Sequence, residues 1–152
     1  MATISAGEVQ RLRAETNAGV MECKRALEET NGDFAKAVAL IKERGLAKAA
    51  KKSEREAKEG LVAAYVHSGR IGALVELASE TDFVARNPRF QELAAELAKQ
   101  VAAMAPADVD ELLGQAYIRD AKKTIGELVT TVASTTGENI YVRRFVRFQL
   151  GE

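Results

Sequence analysis

The period of the hydrophobic pattern changes once along this chain, and that change restricts the folds it can adopt. Up to about residue 45 the apolar residues recur at helical spacing; from Leu61 onward they stand at successive or alternate positions, as strand residues do. Between these stretches lies Leu46 to Glu59, rich in Ala, Lys, Arg and Glu, with no large apolar residue between Leu46 and Leu61. Such a run reads as a solvated helical linker. The expected organisation is a helical domain over residues 1–45, a basic helical linker over 46–59, and a strand-containing domain over 60–152.

Local signals divide the first domain into three helices. Ser5 and Glu8 are spaced as a capping box, in which the serine oxygen takes a free amide and the glutamate reaches back. Val9 and Leu12 then share one side of a helix that ends near Glu15. Thr16-Asn17-Ala18-Gly19 is turn-like. A second helix is expected from about residue 20 to 29, with Met21, Ala26 and Leu27 inward, broken by Asn31-Gly32. Asp33 caps a third helix carrying Phe34, Ala37, Val38 and Ile41, and Gly45 suits a left-handed stop. So small a bundle has a small core and marginal stability; a module of this kind ordinarily presents a face to a partner.

The second domain begins with a hairpin: Leu61–Val66 and Ile71–Leu77 flank Ser68-Gly69-Arg70. Both strands have apolar residues at successive positions, as strands covered on both faces do, while a three-stranded sheet leaves edges, and can leave a face, to be covered by other means such as pairing with another copy. Asn87-Pro88 starts a helix, with asparagine as cap and proline at the first helical position. Phe90, Leu93, Leu97, Val101 and Met104 form its apolar stripe. Pro106 to Lys123 is a connection with a helical turn near Leu112-Leu113. Thr124 and Glu127 open a further helix with Ile125, Leu128, Val129 and Val132 inside, ending at Gly137. Residues 140–150 alternate as a last strand, whose Arg143, Arg144 and Arg147 suggest one solvent-facing or partner-facing side. The fold class is α+β: a three-helix bundle, a linker, then helices packed on a mainly antiparallel three-stranded sheet.

Composition narrows the chemistry. The chain of 152 residues carries 22 Lys and Arg against 22 Asp and Glu, so no global field draws it to nucleic acid or membrane. No apolar run approaches the roughly 20 residues that span a bilayer, and the first residues lack the basic-then-apolar order of a secretion signal. The single cysteine, Cys23, has no partner for a disulfide within the chain. The expected location is the cytosol. The single histidine, His67, and Cys23 do not make a zinc-ligand set, and a Ser-His-Asp or Cys-His arrangement would have to use His67, inside a strand-like run. Neither Gly-x-x-x-x-Gly-Lys-Ser/Thr nor Gly-x-Gly-x-x-Gly occurs, which argues against a bound nucleotide held by either device.

Four runs, in order, carry a resemblance. They are Leu12-Arg13-Ala14-Glu15-Thr16-Asn17-Ala18-Gly19-Val20-Met21-Glu22-Cys23-Lys24-Arg25-Ala26-Leu27, then Ala47-Lys48-Ala49-Ala50-Lys51-Lys52, then Glu80-Thr81-Asp82-Phe83-Val84-Ala85-Arg86-Asn87, then Gly137-Glu138-Asn139-Ile140-Tyr141-Val142-Arg143-Arg144-Phe145. Together they resemble the elongation factor Ts family over nearly the whole chain, and the third run is the most characteristic. The resemblance implies a ubiquitin-associated-like fold for the N-terminal bundle. It implies a guanine nucleotide exchange factor, without covalent chemistry, that releases GDP from elongation factor Tu so that GTP can bind. Thr81, Asp82, Phe83 and Val84 would disturb the partner's Mg2+ site, with Phe83 wedged between side chains of its GTPase domain. Arg13, Val20 and Met21 would grip a helix of the same domain. No cofactor is implied, since the displaced Mg2+ belongs to elongation factor Tu, which would be bound both with GDP and nucleotide-free. The connection from Pro106 to Lys123 is too short for the second core half and helical hairpin of longer members, and short members are expected to pair as homodimers. Ser79 stands where many members have cysteine, so no disulfide can join subunits there.

Taken singly, the same residues read more plainly. A lone aromatic after a strand usually packs inward, an aspartate at that place caps or turns, and Val20 and Met21 suit the core of a small bundle. Lys48, Lys51, Lys52, Arg55 and Lys58 keep an RNA-binding reading open, although no aromatic interleaves with them as a stacking platform. A passive adaptor that binds a protein without changing its chemistry is the other alternative.

Overall fold

The computed structural model describes residues 3–152; residues 1 and 2, the start of the expected helical domain, lie outside the described residues. The chain divides into two compact units, residues up to Ser53 and Glu54–Glu152, each with its own hydrophobic core.

The first unit is a bundle of three helices: α1 (Ala6–Thr16), α2 (Val20–Glu29) and α3 (Phe34–Lys52). The capping box that opens α1 is complete, with the Glu8 amide donating to Ser5 Oγ at 3.2 Å and the Ser5 amide donating to Glu8 Oε2 at 2.8 Å. Asp33 caps α3 by accepting from the Lys36 amide at 3.1 Å. Val9, Leu12, Cys23, Ala26, Leu27, Ala37 and Ile41 make the core. Cys23 takes the inward place expected of Met21, which is 59% exposed. Burial pushes the Cys23 thiol above its ordinary value, so it stays protonated and unreactive. The stop expected at Gly45 is not made. A glycine inside a helix costs only about 1 kcal/mol relative to alanine, and the Ala- and Lys-rich run beyond it has high helix propensity, so α3 continues to Lys52.

In the second unit, β1 (Glu59–His67) and β2 (Ile71–Ser79) form the expected hairpin, and β2 also pairs antiparallel with β5 (Tyr141–Gln149), giving the order β1-β2-β5. Ser68 and Gly69 at the turn have φ of 52° and 66°, and the Arg70 amide donates to the His67 carbonyl at 3.0 Å. These left-handed angles turn the chain with the twist that suits the flanking strands, within a three-residue connection between paired His67 and Ile71. Gly60, at φ +139°, lies where an added Cβ would meet the Leu77 carbonyl oxygen at 2.1 Å, so glycine is required there. A one-turn helix α4 (Asp82–Ala85) follows β2, and then α5 (Pro88–Met104), which packs on β1 and β2. Phe90, Leu97 and Val101 of α5 are wholly buried, each contributing about 1.5–3 kcal/mol by removal from water. Met104, the expected end of that stripe, is exposed.

The connection contains α6 (Val109–Gly114) and a small hairpin, β3 (Ala116–Tyr117) with β4 (Asp120–Thr124), before α7 (Ile125–Thr136). The hairpin has no alternating pattern to announce it. Buried Gln100 holds it, donating to the Ala116 carbonyl at 3.0 Å and accepting from the Ile118 amide at 3.0 Å. Tyr117 donates its hydroxyl to Glu96 at 2.8 Å. Burial and this hydrogen bond push the Tyr117 phenol up to about 12.

The helices cover one face of the sheet. The other is open, the second of the two arrangements the strand pattern allowed: Val62, Val66, Leu74, Val146 and Phe148 are all exposed on neighbouring strands in register. A bulge between Glu76 and Leu77 lets Arg143 and Arg144 both reach Glu76, at 2.7 and 2.9 Å. Arg147 instead donates to the Ala102 carbonyl of α5 at 3.1 Å. The three arginines therefore do not form one side.

Candidate functional site

The segment from Ser79 to Asn87 turns the chain from β2 into α5 and carries four of the candidate residues. A helix of one turn has no stability of its own, so α4 depends on what holds its ends. Thr81 is its N-cap, accepting from the Val84 amide at 3.3 Å. Asn87 caps α5 in turn, accepting from the Arg89 amide at 2.9 Å. Between these caps Val84 and Ala85 are each 5% exposed and belong to the core. Val84 is therefore an anchor, not a surface that a partner can touch. Asp82 faces solvent and pairs with Arg86 at 2.7 Å. Both groups are exposed, so the pair adds little to stability.

Phe83 is 84% exposed. The two residues after it are pinned inward, and the ring is left outside, in solvent.

The loop is secured at its start by residues distant in sequence. Glu138, just after the left-handed cap of α7 at Gly137, accepts the amides of Glu80 and Thr81 on Oε1, both at 3.0 Å. Its Oε2 accepts the Thr81 hydroxyl at 2.6 Å. Glu80 Oε1 accepts the Asn139 amide at 2.7 Å and lies 3.6 Å from Arg55. Arg55 also reaches the Gly137 carbonyl at 3.4 Å, and Asn139 donates to the Arg55 carbonyl at 2.8 Å. The Ser79 hydroxyl donates to the Thr81 carbonyl at 2.9 Å. Sequence reasoning missed this corner. Glu138 and Thr81 are 57 positions apart, and by its neighbours in sequence Arg55 belongs to a solvated basic run.

The remaining candidates lie in the helical unit. Arg13 is exposed in the last turn of α1, and Val20 and Met21 are 50% and 59% exposed in the first turn of α2. The turn between these helices is tied by Thr16, whose hydroxyl donates to the Leu12 carbonyl at 2.8 Å and accepts the Ala18 amide at 3.3 Å. Two apolar side chains and a guanidinium thus flank a fixed turn.

The basic run is partly engaged. Lys48 pairs with Glu22 at 3.0 Å, Lys58 with Glu56 at 2.9 Å, and Arg55 with Glu80. Lys51 and Lys52 stand in the last turn of α3, where positive charge suits the helix dipole. Among the described residues no group of three or more His, Cys, Asp or Glu is placed to hold a metal ion. Nor is any helix among them long and apolar enough to cross a membrane.

Comparison with known proteins bears on the same segment. The family model described as "Elongation factor TS" matches residues 80–152, beginning at the Glu80–Thr81 corner. The chain is similar to "Elongation factor Ts" of Myxococcus xanthus, at 41% identity over 197 aligned positions covering 100% of this chain and 91% of that protein. It is similar to "Elongation factor Ts" of Oleidesulfovibrio alaskensis at 44%, covering 99% of this chain and 100% of the relative. To the protein of the same name from Nostoc sp. it is 49% identical over 152 positions, 99% of this chain and 48% of that longer relative.

Proposed function

The chain belongs to the elongation factor Ts family, and from that premise we propose that it is a guanine nucleotide exchange factor acting in translation elongation. It binds elongation factor Tu carrying GDP, disturbs the Mg2+ site there, and speeds GDP release so that GTP can bind. The observation that carries the reading is Phe83: an aromatic ring 84% exposed on a one-turn helix capped and clamped at both ends.

The physical logic needs no catalytic acid or base. Magnesium offsets the charge of the phosphates it bridges. A protein that displaces the groups holding the ion weakens nucleotide binding, and by linkage the nucleotide weakens the protein's own binding by the same factor. No bond is made or broken, so the chain acts as an exchange factor and not as an enzyme, with no cofactor of its own. Phe83 supplies the wedge, and Asp82 and Thr81 stand beside it at the surface. Val84 contributes by holding the turn from below. Arg13, Val20 and Met21, on a helical unit of ubiquitin-associated-like type, form a second contact with elongation factor Tu. The protein works in the cytosol, on the GDP-bound and then the nucleotide-free partner.

The chain also acts as a homodimer in this reading. What supports it is the open face of the β1-β2-β5 sheet, where Val62, Val66, Leu74, Val146 and Phe148 stand together in water. A second copy related by a two-fold axis presents the same patch and buries both.

The test is release of fluorescent GDP from purified elongation factor Tu in excess unlabelled GDP. Acceleration by substoichiometric amounts of the chain, lowered about ten- to a hundredfold by Phe83→Ala, is expected. A folded chain that leaves the rate unchanged would refute the proposal.

A further inference from the structure

We propose that Glu138 is a positioning residue for the exchange loop: its carboxylate sets where Phe83 is presented, though it touches neither partner nor nucleotide. The inference rests on the exchange reading above. Glu138 is the only side chain among the described residues that holds the backbone of Glu80 and Thr81 together, with two amides on one oxygen and the Thr81 hydroxyl on the other. Hydrogen bonds to a carboxylate are shorter and stronger than neutral ones, and the Thr81 contact is the short one of the three, at 2.6 Å.

The proton arrangement has a consequence for α4. Because the Thr81 hydroxyl spends its proton on Glu138, its lone pairs remain free to accept the Val84 amide at 3.3 Å. One carboxylate therefore fixes both the chain entering α4 and the orientation of the cap that starts it. Phe83 lies two residues beyond Thr81 on a single turn of helix. A shift in the Glu80–Thr81 backbone passes directly to the ring, because Val84 and Ala85 hold only the far end. Glu138 is itself held in place by its neighbours: Gly137 fixes the bend before it, and Asn139 donates to Glu80 and to the Arg55 carbonyl. Removing the carboxylate leaves the buried contacts of Val84, Ala85 and Phe90 untouched, so the loop loses its aim while the core persists.

The test uses the full chain with Glu138→Ala and Glu138→Gln, and two readouts. The first is GDP release from elongation factor Tu across a range of chain concentrations. Glu138→Ala is expected to lower the maximal rate about tenfold or more, with the half-saturating concentration little changed. Glu138→Gln keeps one oxygen for both amides and is expected to recover most of the rate. A merely structural role would lower the active fraction, raising the half-saturating concentration at an unchanged maximal rate. The second readout needs no partner: the Glu80 and Thr81 amides should exchange with solvent about tenfold faster in Glu138→Ala, while those of α5 do not. An inactive wild-type chain would sink the exchange reading and leave amide exchange to judge the clamp. Faster amide exchange with an unchanged maximal rate overturns the positioning role, and unchanged amide exchange overturns the clamp itself. Should the alanine variant fail to fold, Glu138→Asp, whose carboxylate sits one methylene short of the Glu80 and Thr81 amides, carries the same comparison, and an unchanged maximal rate despite faster Thr81 exchange decides against the proposal.

Discussion

Phe83→Ala removes a ring from a site where the folded chain conceals only about a sixth of it, since the residue is 84% exposed. A phenylalanine side chain presents about 200 Å², so about 30 Å² is lost from the fold, or about 0.8 kcal/mol at 25 cal/mol per Å². In a core of this size that lowers Tm by about 3–6 °C. The other 170 Å² or so is available to a partner and sets a ceiling of about 4 kcal/mol on what the ring contributes there, roughly a thousandfold in rate or affinity. Ordering the interface consumes part of it, so a loss of about ten- to a hundredfold in exchange is expected. Phe90→Ala, at a fully buried position, is the control. It should cost about 3–5 kcal/mol of stability and drop Tm by more than about 12 °C. Stopped-flow release of fluorescent GDP and thermal melting by circular dichroism measure both quantities on the same samples. If Phe83→Ala melts like Phe90→Ala, the ring is a core residue and the wedge is wrong. If it melts normally and exchanges at full rate, the exposed ring has no part in the function.

The geometry also sets three other outcomes. Leu74→Arg, placed between Ala64 and Val146 on the open sheet face, should convert a dimer to monomer in light scattering. Leu74 is 46% exposed, so losing its contact from both copies amounts to about 1.5–3 kcal/mol, at least about tenfold in dissociation constant, before the cost of facing two arginines; no change in mass would remove the dimer proposal. Gly60→Ala forces a Cβ against the Leu77 oxygen at 2.1 Å in a left-handed backbone and should cost roughly 2 kcal/mol or more, read as a fall in denaturation midpoint; a neutral result would mean the β1 start relaxes easily. Tyr117 is raised to about 12, so the folded state keeps the proton that the unfolded chain gives up near the ordinary phenol value of about 10. The contribution is whole below about pH 10 and is lost as pH rises toward 12. Tyr117→Phe should flatten that alkaline decline in melting temperature, and an identical decline in both proteins would refute the assignment.

The short-range features were legible because their causes are local. Ser5 with Glu8, Asp33, Asn87 with Pro88, Thr124 and Gly137 each act within a turn of themselves, and each stands in the structure where the spacing put it. The change from helical to strand periodicity likewise announced a helical unit followed by a sheet. Gly45 marks the limit of such signals: a glycine stops a helix or sits inside one according to the helix propensity of the residues on its C-terminal side. The successive apolar residues of β1 and β2 could not say that their second face stays open, since an apolar residue reads alike whether a helix, another copy or water lies over it.

By itself, then, the sequence determined the element types, their caps and turns, and a family likeness centred on Glu80–Asn87, because these depend on neighbours within a few residues. Tertiary structure alone decided how the candidate residues are placed. It turned Phe83 outward and Val84 inward on one turn of helix, brought Glu138 across 57 positions to Thr81, and drew Arg55 out of a basic run to Glu80. Such choices depend on chain closure, where segments far apart in sequence compete for the same buried space and the same unpaired amides, and no local pattern records which of them wins.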